Sequence, residues 1–204
     1  MEWFFDTYWN KLLNEIGVDG AKIDLGGLIV DTVGTLHFYN ANMSTAGTHH
    51  WYASSFNTLL WEAISSKPDS GICYINTAGI GAQRAPYMWA GDQTMMKNRL
   101  QRQLNYVLTA GLSGIPFVSY DLGTGSYPME DGKPVALEIE DEAEIFLRSL
   151  EMSVFMPSMQ TSGSIRRPYD YAEEDAEFAY VTELYKLYTK LYQDLKDDFK
   201  VQYR

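Results

Sequence analysis

The sequence predicts an α/β fold, a mainly parallel sheet of short strands covered by helices. Three observations lead there. Helical periodicities alternate along the chain with short apolar runs. Those runs, such as Gly71-Ile72-Cys73-Tyr74-Ile75 and Ile115-Pro116-Phe117-Val118-Ser119-Tyr120, lack the polar alternation of a strand with one wet face. Acidic or amide side chains close the runs: Asp24, Asn76, Asp92, Asp121 and Gln160. One such residue is ordinarily a turn or a helix cap. In a barrel, however, all strand ends of this kind meet on one face, and that face carries the chemistry. Periodicity alone leaves a catalytic barrel and an ordinary doubly wound sheet both open.

The elements follow in order. Residues 2–16 read as a helix, with Phe4, Tyr8, Leu12 and Ile16 four apart, Trp9 and Leu13 widening the stripe, and Gly17 ending it. A strand over 21–24 ends in Asp24, and the Gly-, Thr- and Asn-rich stretch 25–48 reads as a long loop. A helix over 51–65 places Phe56, Leu59, Leu60 and Ala63 on one face, and a Lys67-Pro68-Asp69-Ser70-Gly71 turn follows. Strands are expected at 72–76 and 87–90. Thr94 is placed to cap a helix over 95–110 whose stripe is Met96, Leu100, Leu104, Val107 and Leu108. A strand at 115–120, a helix at 141–152 and a last strand at 154–157 come next. The final helix, 172–196, turns Phe178, Val181, Leu184, Tyr188, Leu191 and Leu195 to one side and opens on acidic residues that suit its dipole. No repeat or linker interrupts the chain, so one domain over 1–204 is expected.

Composition excludes several classes of function. The 204 residues are 46% hydrophobic, enough for a real core. A net charge of −11 repels a phosphate backbone, so no nucleic-acid partner is expected. No stretch reaches the roughly 20 apolar residues of a membrane span, and no signal peptide opens the chain, so no membrane partner and a cytoplasmic default follow. The single cysteine, Cys73, sits in an apolar run and reads as a buried strand residue. His49 and His50 are adjacent, and on an extended chain they point apart. No metal-ligand spacing stands out, and neither a metal nor a cofactor is expected. No dinucleotide loop or nucleophile elbow is present.

The specific signal lies in five motifs. Gly79-Ile80-Gly81-Ala82-Gln83-Arg84-Ala85-Pro86-Tyr87-Met88-Trp89-Ala90-Gly91-Asp92-Gln93 resembles the acid/base motif of glycoside hydrolase family 31. Gly111-Leu112-Ser113-Gly114-Ile115-Pro116-Phe117, then Asp121-Leu122-Gly123, resembles the strand that comes next in that family. Upstream, Gly17-Val18-Asp19-Gly20-Ala21-Lys22-Ile23-Asp24 is similar to its nucleophile strand, and His49-His50-Trp51-Tyr52 to the segment after it. Phe155-Met156-Pro157-Ser158-Met159-Gln160-Thr161-Ser162 resembles a late strand. The motifs keep the family order over 17–162.

The resemblance implies a partial (β/α)8 TIM barrel of about five parallel strands with covering helices, against the eight strands and about 250 residues of a full barrel. It implies retaining hydrolysis of a terminal α-linked sugar, with an α-glycoside or oligosaccharide as substrate. Asp24 would be the nucleophile and Asp92 the acid/base. Trp89 would line the sugar pocket or stand as a core tryptophan. Lys22, two residues before Asp24, would bond a hydroxyl or support the nucleophile. Asp121 would accept hydrogen bonds from sugar hydroxyls or orient the loop, with Asn76 and Gln160 as neighbours at strand ends. Arg84 would pin a carboxylate or form a structural ion pair. The chain departs from the family pattern at Asn76, where an Arg is usual, and at Gly27, where a Glu is usual. These departures and the missing strands favour an alternative, a catalytically inactive partial barrel acting as a sugar-binding or assembly module. An open barrel leaves strand edges unpaired, so a homo-oligomer or a second chain completing the barrel is expected.

Overall fold

The computed structural model describes residues 2–24, 45–66, 71–84, 87–92, 94, 96–122, 128–161 and 166–201; the side chains of residues 2, 45–48, 50 and 197–201 lie outside it. The expected loop over 25–48 falls mainly outside these residues, as do most of the 67–71 turn, Gly27, Gly123, Ser162 and the His50 side chain. The chain forms two compact units, Met1–Trp89 with Gly114–Pro116, and Ala90–Ser113 with Phe117–Arg204.

The first unit opens with helix α1, Glu2–Phe4, which continues as two π-helical runs, Phe5–Trp9 and Lys11–Ile16. The wider i→i+5 winding corrects the expected stripe, because residues four apart no longer stack. Tyr8 and Ile16 are exposed, and Leu13 is the buried residue of these runs. Gly17 ends the helix as expected, in the left-handed region at φ 81°. Strand β1, Ala21–Ile23, follows. Helix α2 spans Thr45–Ser65, so it takes in residues expected to be loop. Its buried stripe is Ala53, Asn57, Leu60 and Ile64, whereas Phe56, Leu59 and Ala63 are half-buried.

Strands β2, Cys73–Ile75, and β3, Tyr87–Trp89, complete a parallel ladder with β1. Lys22 stands level with Tyr74, Ile23 with Ile75, and Ile75 with Met88. All three residues of β2 are buried, which is why its sequence shows no alternation. Burial pushes the Cys73 thiol from its ordinary value of 9.0 up to about 12. A neutral, covered thiol is unreactive. Cys73 is therefore expected to resist Ellman's reagent at pH 8 in the folded chain and to react fully in denaturant; full labelling of the native chain would contradict its burial.

In the second unit, helix α3 spans Lys97–Leu112. Its N-cap is Met96 without a side-chain cap bond, which corrects the expected cap at Thr94. Its stripe is corrected too. Leu104 and Leu108 are exposed, and Gln103 and Ala110 are buried, so the inward line runs through Leu100, Gln103, Val107 and Ala110. Strand β4, Phe117–Ser119, binds the segment toward Asp92, as the Ala90 N–H donates to the Ser119 carbonyl at 2.8 Å. Strand β5, Asp121–Leu122, comes next. A hairpin of β6, Met129–Glu130, and β7, Lys133–Pro134, turns at Asp131 and Gly132, both with positive φ.

Helix α4, Ile139–Ser153, leads into a turn where the N–H groups of Val154, Phe155 and Met156 donate to the carbonyls of Leu150, Met152 and Ser153. The strand expected at 154–157 is therefore absent from the described residues. In its place β8, Gln160–Thr161, pairs in parallel with β5, Asp121 level with Gln160. The expected long last helix is two: α5, Asp170–Glu174, and α6, Ala179–Val201. Between them Asp175 is extended, and its side chain accepts from the Glu177 N–H. The core gathers Tyr120, Leu122, Phe146, Leu150, Tyr171 and Val181 among its members. The Tyr120 hydroxyl donates to the Ser149 carbonyl at 2.6 Å, and burial raises its pKa.

Inside this unit Glu142 is fully buried. Arg166 Nη1 donates to its Oε2, the Tyr171 hydroxyl to its Oε1 at 3.4 Å, and Arg166 Nη2 reaches Glu174 at 3.3 Å. The carboxylate of α4 thus ties in α5 and the segment that leads into it. Among the described residues no helix is long and apolar enough to cross a membrane.

Candidate active site

In the first unit the strand period does the positioning. Ile23 points into the core, and Lys22 and Asp24 are exposed on either side of it. The level pairing of Ile23 with Ile75 carries the next residues, Asp24 and Asn76, out together. Asn76 Nδ2 donates to Asp24 Oδ1 at 2.6 Å. The Asn76 Oδ1 is buried with no hydrogen-bond partner among the described residues. The residue after Asn76 is also held: the buried Asn57 of α2 donates through Nδ2 to the Thr77 carbonyl at 2.8 Å and to Thr77 Oγ1 at 3.2 Å.

Trp89 ends β3 and is 2% exposed. The Lys22 ammonium lies 3.6 Å from its ring centroid and 5.7 Å from that of Tyr74, a cation–π arrangement that holds Lys22 across the strand ends. The indole Nε1 has no hydrogen-bond partner among the described residues. Lys22, Asp24, Asn76 and Trp89 are therefore one cluster. Arg84 stands apart from it, exposed on a 3₁₀ turn, Ala82–Arg84. It lines a cavity of about 430 Å³ with Ser54, Thr58, Leu59 and Ile80, and it forms no ion pair among the described residues.

The second unit holds the other expected residues. Asp92 is exposed and lines a cavity of about 310 Å³ together with Arg99, Arg102, Gln103 and Tyr106. Asp121 is buried in β5, and Gln160, its level partner in β8, is half-buried. Sequence reasoning missed Asn57, Arg99, Arg102 and Gln103. A signal existed for two of them: Asn57 and Gln103 fall on the inward stripes of their helices, where an amide needs a task. Among the described residues no group of three or more His, Cys, Asp and Glu is placed to hold a metal ion.

Short parallel strands under helices, with polar side chains carried out at their C-terminal ends, define a segment of an α/β barrel with a candidate site on that rim. The chain belongs to glycosyl hydrolase family 31: the model of the family's TIM-barrel domain matches residues 1–194. Among curated proteins it is 29% identical over 154 residues to the isomaltosyltransferase of Sporosarcina globispora, covering 73% of this chain and 12% of that protein. It is 28% identical over 116 residues to the α-xylosidase of Emericella nidulans, covering 55% of this chain and 14% of that protein. The chain thus spans about an eighth of the length of these relatives. Among solved structures, the cycloalternan-degrading enzyme of Trueperella pyogenes in complex with a covalent intermediate superposes with a TM-score of 0.78 at 21% identity, over 98% of this chain and 27% of that one. That likeness shows the fold, a partial TIM barrel, as the sequence predicts.

Proposed function

We propose that this chain carries the nucleophile and the acid/base of a retaining α-glycoside hydrolase. The observation that supports the reading is the Asn76–Asp24 hydrogen bond, which orients a carboxylate at the end of β1. An Asp24 oxygen attacks the anomeric carbon as the bond to the leaving oxygen breaks, and Asp92 gives that oxygen its proton. Asp92 then takes a proton from water, the water oxygen attacks the anomeric carbon, and Asp24 departs, which gives net retention. The mechanism requires the two carboxyl groups to stand about 5–5.5 Å apart.

Lys22 would bond a sugar hydroxyl, Trp89 would close the pocket wall, and Asp121 and Gln160 would receive further hydroxyls. Arg84 would bind at the rim. The substrate class is an α-linked oligosaccharide, in line with the isomaltosyl and xylosyl chemistry that the relatives are named for. β1 has a ladder partner on one side, β2, among the described residues, so a second copy or a second chain would supply the rest of the barrel.

One observation favours a second reading, the inactive sugar-binding or assembly module. The Trp89 indole, on which a sugar ring would lie, is covered, with the Lys22 ammonium on its face. The two readings part in one experiment. Aryl α-glycosides are offered to the purified chain, with its assembly state followed by light scattering. Turnover by an assembly larger than the 23.2 kDa chain, lost in both Asp24→Ala and Asp92→Ala, is the expected result. A loss of at least about 10³-fold is expected in each variant, because residues that act as a unit fail together. A folded chain without turnover on any sugar leaves the module standing.

A further inference from the structure

The cavity beside Asp92 has a composition that hydrolysis of a neutral sugar does not use. Two guanidiniums, Arg99 and Arg102, line it in a chain of net charge −11, and neither forms an ion pair among the described residues. Arg99 Nε is buried and has no hydrogen-bond partner among the described residues. Gln103 is 2% exposed, lines the same cavity, and its Oε1 is likewise without a partner. Buried polar groups are nearly always satisfied, so an open donor and an open acceptor in one polar cavity ask for a ligand that supplies both counterparts. A guanidinium takes a carboxylate or phosphate in a charge-assisted bond, while an amide oxygen takes a hydroxyl. A sugar with one anionic group has both.

We propose that this cavity binds an anionic sugar, its charged group held between Arg99 and Arg102 and a hydroxyl given to Gln103. The proposal rests on the reading of Asp92 as acid/base only for the ligand's role, which would be that of leaving group. Binding itself does not depend on turnover. Arg99 stands in the first turn of α3, where the helix's own N–H groups add to the pull on an anion, and Arg102 follows three residues on, on the same side.

The test is calorimetric titration of the whole chain at low salt with glucuronate, glucose 6-phosphate, glucose and inorganic phosphate. At least one anionic sugar is expected to bind about tenfold or more tightly than both glucose and inorganic phosphate, a difference of about 1.4 kcal/mol. Which of the two does so tells carboxylate from phosphate. Added salt should weaken it. Arg102→Gln, on an exposed side chain, and Arg99→Gln should each weaken it about tenfold or more at unchanged far-ultraviolet circular dichroism. Asp92→Asn should keep or tighten it, because a like charge leaves the cavity. The proposal falls if neither anionic sugar binds more tightly than both glucose and inorganic phosphate, or if both folded arginine variants bind like the parent. Binding without turnover would sink the hydrolase reading alone. Turnover without anion selectivity would sink this one alone.

Discussion

Gly71→Ala is expected to abolish the folded state of the first unit. A Cβ at Gly71 would stand 1.1 Å from the Asp19 carbonyl oxygen and 2.2 Å from its carbon. Both atoms are backbone, so no rotamer change relieves the clash. The chain enters β2 here against the segment that enters β1, and the two can separate only by giving up the ladder that sets Asp24 beside Asn76. Overpacking in a core costs about 1–3 kcal/mol when side chains can give way. Where backbone alone is struck, the cost should exceed about 5 kcal/mol, the lower end of a domain's whole stability. Gly17→Ala is the control: φ is 81° there, nothing lies within 4 Å, and the loss should be about 1 kcal/mol. Circular dichroism melts of both variants decide it, and a cooperative Gly71→Ala transition close to that of the parent would contradict the close approach.

Glu142→Ala is expected to cost about 3 kcal/mol, the low end for a broken buried pair, because it leaves the half-buried Arg166 with Glu174 as its one remaining carboxylate among the described residues and the Tyr171 hydroxyl without its acceptor. The carboxylate has 0% exposure and receives both Arg166 and Tyr171. Loss of one partner from such a buried pair is far more damaging than loss of a surface pair. For a chain of this size each kcal/mol moves the midpoint about 2–4 °C, so the melting temperature should fall on the order of 10 °C. Glu183→Gln, which removes the exposed pair with Lys186, should leave the midpoint in place. A midpoint shift no larger than that of Glu183→Gln would show that Glu142 does not anchor its unit.

The parts of this fold that the sequence makes legible are those whose burial is decided locally. β2, β3 and β4 lie where apolar runs without alternation place them, because both faces of each are covered. Gly17 ends its helix where the pattern stops. What escaped was decided at a distance. Val154-Phe155-Met156 has the composition of a strand, yet the helix exit holds it in a turn, and the polar pair Gln160–Thr161 becomes the strand because Asp121–Leu122 offers it an edge. The π winding of residues 5–16 leaves no mark in an i, i+4 pattern, which reads as helix in either case. At the site, the alternation along β1 suffices to put Lys22 and Asp24 together, the amide at the end of an apolar run picks out Asn76, and the acid/base motif picks out Trp89. Asn57 acts through a backbone carbonyl and the Gln103 oxygen toward a cavity, relations that no spacing encodes.

The β6–β7 hairpin has a practical side. Both strands and the Asp131–Gly132 tip are exposed throughout, and the turn is the tight type that closes by itself. Exposed tips of small polar residues accept insertions with little effect on what lies beneath. A fluorophore, a spin label or an affinity peptide grafted between Asp131 and Gly132 would give the chain a handle for immobilisation and for single-molecule work, with no change to any residue of the candidate site.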